Sequence, residues 1–182
     1  MEAFDSTFLT LLFVPNAKCS IDRGRDRVEF LISDIHGRGD RIVIPAPVLG
    51  ELLIGVGHSR SLILNELTKT PRFMIAPFDT RAALELALMT ETLGKRRQHR
   101  TKTTWAKVSF DRQILAIARV HSVSTIYTED GDMRNIAESI GMTVKTVAAL
   151  PLPYQVPTGE GLFDNLPEEP NEGNDKKRQS EK

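Results

Sequence analysis

Apolar residues along this chain come in two patterns that alternate. Short unbroken runs rich in β-branched and aromatic side chains, "EAF" at Glu2–Phe4, "RIVI" at Arg41–Ile44, "FMIA" at Phe73–Ala76, "STIYT" at Ser124–Thr128 and "MTVKTV" at Met142–Val147, predict strands. Between them lie stretches with helical spacing: "FLTLLF" after Asp5, "DRVEFLISDI", "VLGELLIGV", "RSLILNELTK", Thr80 to about Leu93, "FDRQILAIARVH" and "MRNIAESIG", the last closed by Gly141. Pro45 and Pro47 end the second strand, because neither can donate to a sheet ladder.

Strand alternating with helix throughout predicts an α/β domain, a parallel sheet with helices on both faces. In such folds functional groups gather beyond the carboxyl ends of the strands, where Asp5 and the "TEDGD" of Thr128–Asp132 fall. The charged segment Val14–Asp40 separates the first helix from the second strand. After Pro151 the text becomes Pro-, Gly- and charge-rich, too poor in apolar side chains to offset its ordering entropy. The reading is therefore one domain over residues 1–150 and a tail over 151–182, disordered from about Thr158.

Composition narrows the class further. Lys and Arg balance Asp and Glu, so bulk charge imposes no nucleic-acid or membrane partner, and any polarity must be local. Cys19 is the single cysteine, which excludes an intrachain disulfide and fits a reducing cytoplasm. "FLTLLFV" follows Glu2 and Asp5 instead of basic residues and reads as core, and no run approaches the length of a membrane span.

Four acids share a strand-end or helix-start context: Asp5, Glu51, Asp111 and Asp130. Singly, each has a structural role open to it. Asp5 suits a helix N-cap, Asp111 the start of "FDRQILAIA" facing a helix dipole, and Asp132 the cap of "MRNIAESI". Glu51 differs, since inside "VLGELLIGV" a charge is costly without a partner. Together they can converge on one pocket, and converging carboxylates repel unless a divalent cation compensates. Oxygen-only ligands suit Mg²⁺ or Mn²⁺, and a hard cation with water in its shell serves phosphodiester hydrolysis.

"FDSTFL", "IPAPVLGELL", "VSFDRQILAIA" and "IYTEDGD" resemble, in order, the successive acidic motifs of the PIN-domain nuclease family. The resemblance implies a three-layer α/β/α sandwich around a parallel sheet of order 3-2-1-4-5. It also implies a Mg²⁺/Mn²⁺-dependent endoribonuclease leaving 5′-phosphate and 3′-hydroxyl ends. Many bacterial members are VapC-like toxins held by an antitoxin protein, and many relatives form homodimers. Carried over position by position, the catalytic and metal-holding acids are Asp5, Glu51, Asp111 and Asp130, with Asp132 auxiliary. Thr128 orients the site through its hydroxyl, and Ser6 assists. The Val14–Asp40 segment is longer than in the compact toxins of the family.

From Lys95 to Lys107, "KRRQHRTKTTWAK" holds Lys95, Arg96, Arg97, Arg100, Lys102 and Lys107 with Trp105 and no acid. It reads equally as an RNA-binding stretch of phosphate contacts with a stacking ring and as a solvated loop. Arg112 either meets substrate or pairs with an acid, and the histidines lack metal-ligand spacing. A Gly-rich phosphate loop and a GxGxxG fingerprint are absent from the sequence. An EF-hand starting at Asp130 fails, because Asn135 stands where glycine is required. Two other readings remain. One is a receiver-like phospho-acceptor domain, for which "AFDSTF" offers one acid where a pair is needed; the other is a non-catalytic interaction module with the nuclease fold.

Overall fold

The computed structural model describes residues 1–95 and 105–153. Five strands, β1 (Glu2–Phe4), β2 (Ile42–Pro45), β3 (Phe73–Ala76), β4 (Thr125–Tyr127) and β5 (Thr143–Lys145), form one sheet in the order β3-β2-β1-β4-β5. Every pairing is parallel, with Glu2 opposite both Ile42 and Thr125. The expected order 3-2-1-4-5 is the observed one. Strands β1 and β2 are buried along their whole length, which is why they read as continuous apolar runs. The edge strand β5 instead exposes Thr143 and Lys145, and a charged edge discourages pairing with another chain.

Seven α-helices flank the sheet among the described residues: α1 (Ser6–Phe13), α2 (Gly24–Gly37), α3 (Ala46–Gly55), α4 (Arg60–Lys69), α5 (Thr80–Lys95), α6 (Trp105–Val120) and α7 (Gly131–Ser139). The sixth is the deepest: Ile114, Leu115, Ala116, Ile117 and Ala118 are all buried, so it is apolar nearly all round at that level. It packs along α5, tied by an ion pair from Arg119 to Glu85 at 2.9 Å and by Arg81 donating to the Val120 carbonyl at 3.1 Å. Gly141, at φ +81°, makes the tight passage from α7 to β5 that a side chain would strain.

Two helix starts differ from expectation. The sixth helix begins at Trp105, five residues ahead of "FDRQILAIA", so Asp111 stands in its second turn and does not meet its N-terminus. The second begins at Gly24, behind Arg23 in the left-handed conformation (φ +50°), without a side-chain cap. Arginines fasten that segment: Arg25 donates to the carbonyls of Leu12 and Val14, and Arg27 to that of Leu150.

Under β1 lies an aromatic trio, Phe4, Phe8 and Tyr127, with ring centroids 5.2–5.5 Å apart. The Tyr127 hydroxyl donates to Glu2 Oε2 at 2.7 Å, and Arg38 holds Glu2 Oε1 at 2.8 Å. Burial and this carboxylate both push the phenol's pKa up. Tyr127→Phe removes the donor and leaves a buried carboxylate oxygen short of a partner. It should cost about 1–2 kcal/mol, read as a lower urea midpoint at unchanged m-value.

No described helix is long and apolar enough to cross a membrane. The disorder expected from about Thr158 falls outside the described residues, which end at Pro153.

Candidate active site

The ends of β1 and β4 are neighbours in the sheet, and this brings Asp5 and Thr128–Asp132 together. Asp5 is the N-cap of α1: its Oδ1 accepts the Phe8 N–H at 3.0 Å. Asp130 caps α7 in the same way, with Oδ1 accepting the N–H groups of Asp132 at 2.8 Å and Met133 at 3.0 Å. The cap of α7 is thus Asp130 and not Asp132. Asp132 sits inside the first turn, where a negative charge suits the helix dipole. Thr128 is wholly buried; its Oγ1 accepts the Asp130 N–H at 3.0 Å, and its hydroxyl bonds the Asp5 carboxylate. One side chain so ties the two strand ends together.

An open cleft of about 400 Å³ lies above these ends, lined by Asp5, Ser6, Glu51, Lys107, Asp111 and Asp130 together with an apolar wall. The wall is Ala106, Phe110 and Ile114, four residues apart on α6, faced by Met133 of α7. Glu51 reaches the cleft from the middle of α3, but it is exposed, so the expected desolvation cost inside "VLGELLIGV" is not incurred. Asp132 stands beside the cleft, 3.5 Å from Lys107 Nζ. Glu129 turns elsewhere and accepts the Val147 N–H. Arg112 is buried, and burial lowers its pKa. His58 and His121 do not line the cleft.

The field in the cleft is strongly asymmetric. Asp5 is 4% exposed, and burial raises its pKa from 3.8 to about 6 against the lowering effect of Thr128 and nearby backbone N–H groups. Asp111 also rises to about 6, first through burial and then through the charges of Asp130, Asp132 and Glu51, with Lys107 opposing. Asp130 goes the other way. Burial pushes it up, but Lys107, 2.6 Å from Oδ2, and the two cap N–H groups outweigh that. Asp111 Oδ2 is buried and has no hydrogen-bond partner among the described residues.

These features bear on whether a divalent cation suits the cleft. Four carboxylates line it, one oxygen of which has no hydrogen-bond partner among the described residues, and the charges of Asp130 and Glu51 raise the pKa of Asp111 against Lys107, all of which fits a hard cation. Among the described residues, however, no three Asp, Glu, His or Cys side chains are arranged to grip an ion as they stand. The donor set is apt, but the coordination sphere is not closed.

Of the basic stretch, only Lys107 lines the cleft among the described residues. Lys95 ends α5 and Trp105 begins α6, while Arg96, Arg97, Arg100 and Lys102 lie outside the described residues. Lys107 was read with the basic stretch as phosphate-binding charge, and its pairing with Asp130 and Asp132 was not foreseen. The signal of its place beside the acids is the four-residue spacing to Asp111, which shares a helix face once the helix is started at Trp105.

Several solved structures share this fold. VapC20 of Mycobacterium tuberculosis, a toxin that cleaves the sarcin-ricin loop, is similar at 15% identity and TM-score 0.55, over 83% of this chain and 100% of that one. VapBC2 of Rickettsia felis, bound to a DNA fragment from its promoter, gives 14% identity and TM-score 0.53, over 80% and 97%. DNA-bound VapBC of Salmonella typhimurium gives 14% and 0.52 over the same shares. At these identities the likeness is one of fold. No curated protein matches the sequence. The PIN domain family matches residues 17–139, two thirds of the chain, and to that family the chain belongs.

Proposed function

We propose that this chain is a divalent-metal-dependent endoribonuclease, its nuclease domain spanning residues 1–150, that serves as the toxin of a toxin-antitoxin pair. The observation that carries the reading is the meeting of Asp5, Glu51, Asp111 and Asp130, from four separate elements, around one cleft in which Asp111 keeps an orphaned oxygen. Isolated capping explains Asp5 and Asp130 but neither Glu51 nor Asp111.

Asp5, Asp111 and Asp130 would hold Mg²⁺ or Mn²⁺ or its waters, with Glu51 and Asp132 at the margin. Bound there, the ion would supply an activated water and a counter-charge for the phosphoryl oxygens. The chain's own part is placement. Caps fix Oδ1 of Asp5 and of Asp130, and the Thr128 side chain bonds both residues. The wall of Phe110, Ile114 and Met133 lowers the local dielectric, which strengthens every charge interaction in the cleft. Ser6 lines the cleft and would assist there.

The toxin role and an antitoxin partner rest on family membership and on the fold shared with VapBC complexes. The nuclease itself is testable without knowing the partner. Purified protein with Mn²⁺ should cleave RNA to fragments bearing 5′-phosphates, and both EDTA and Asp5→Asn should stop it. Equal recovery of intact RNA from wild type and Asp5→Asn would sink the enzyme reading in favour of a non-catalytic binding module.

A further inference from the structure

Lys107 is placed where local helix physics does not want it. It occupies the third residue of α6, at the positive end of the helix dipole, and precedes Asp111 in the weaker of the two orientations for a four-residue ion pair. Its ammonium reaches across the cleft to another element, 2.6 Å from Asp130 Oδ2 and 3.5 Å from Asp132 Oδ2. Nothing about α6 is served by that contact. What the contact does is put a positive charge on the cleft-facing oxygen of the most strongly anionic acid.

The division of labour within Asp130 is informative. Oδ1 holds the cap of α7 through two N–H groups, so Oδ2 can change partner without disturbing the helix. Lys107 is itself 45% exposed at its side chain, on a flexible four-carbon stem, and can move off into solvent at small cost. A divalent ion entering among Asp5, Asp111 and Asp130 needs that same Oδ2. It also meets repulsion from the ammonium while the pair is made.

Resting on the metal-site reading above, we propose that Lys107 is an internal counter-ion: it holds Asp130 Oδ2 in the metal-free protein, and a divalent cation must displace it to load the site. Lys107 is then a positioning residue for the empty cleft and a competitor of the metal. Once displaced, its ammonium stays at the cleft mouth, where a substrate phosphate would lie.

Calorimetric titration of Mn²⁺ into RNA-free protein tests this with Lys107→Met, which keeps the stem and removes the charge. Competition predicts that the variant binds Mn²⁺ about fivefold more tightly, the upper range for a half-exposed ion pair. It also predicts a lower melting temperature in EDTA and recovery to the wild-type value at saturating Mn²⁺. Weaker or unchanged Mn²⁺ binding in Lys107→Met overturns the proposal and leaves the metal site standing. Absence of Mn²⁺ binding in both proteins overturns the metal site and the proposal with it. A second readout uses reductively ¹³C-methylated protein and diamagnetic Mg²⁺. The Lys107 resonance, assigned by its loss in Lys107→Arg, should move to the position of solvent-exposed lysines on loading, and a resonance that stays in place overturns the exchange.

Discussion

Asp111→Asn should make the metal-free protein more stable and at the same time cut RNA cleavage by at least about 100-fold, or about 3 kcal/mol of transition-state stabilisation. Both halves follow from one buried oxygen. Asp111 Oδ2 has no hydrogen-bond partner among the described residues, and Asp130, Asp132 and Glu51 add their charges to the cost of burial. An amide of the same shape removes the charge and with it this repulsion. Stabilising gains at strained active sites run to about 0.5–2 kcal/mol. A urea titration in EDTA at pH 7.5 reads the first half, and single-turnover cleavage with Mn²⁺ the second. A lower urea midpoint in the variant would mean that Asp111 is a structural residue and its burial is already compensated.

Without metal, stability should fall as pH rises from about 4 to about 6, contrary to the behaviour of most carboxylate-rich proteins. The direction is set by Asp5 and Asp111, whose pKa rises from 3.8 to about 6 on folding. In that interval the native chain holds protons that the unfolded chain has released, so unfolding is favoured as pH increases. Below it both states are protonated, above it both are ionised, and the penalty is then complete. For Asp5, shifted by about two units, it amounts to about 3 kcal/mol. Asp130 acts in the opposite sense, its pKa being lowered, but its contribution is lost mainly below the ordinary carboxylate range and opposes the trend only at the acid end of the interval. Divalent cations should reverse the trend: saturating Mg²⁺ should raise the melting temperature far more at pH 7 than at pH 5, because the carboxylates must be ionised to bind it. Equal shifts at the two pH values would separate ion binding from these acids.

The sheet and most helices could be read from the sequence because parallel strands buried on both faces leave unbroken apolar runs, as in "RIVI", and amphipathic helices leave three-to-four spacing. Asp5 stood out as the first polar residue past such a run, and Asp130 as part of the acidic text directly behind "STIYT". For Asp5 a capping role and a site role looked like alternatives, yet a carboxylate has two oxygens, and Asp5 and Asp130 both cap a helix while lining the cleft. The burial of Glu51 was misjudged because apolar neighbours in a sequence say nothing of which helix face a residue takes, and position 51 is exposed at the cleft. The early start of α6 was hidden by a basic text without apolar period, which also concealed Lys107. Glu2, Arg38 and Tyr127 could not be joined at all: the partners stand 36 and 125 residues apart, and no periodicity links a tyrosine to a carboxylate at that range.

β1 precedes the other four strands in the chain yet is the middle strand of the sheet, and this fixes when the cleft acids can be gathered. Asp5 leaves the ribosome early, yet β1 gains its second neighbour only when Thr125–Tyr127 has been synthesised, and Thr128 and Asp130 follow directly behind. A nascent chain ending before that point carries Asp5, Glu51 and Asp111 but not the strand end that gathers them. On the proposed reading, a chain that stops before β4 would therefore lack an assembled site, and the nuclease would be complete only once β4 and the start of α7 have been made.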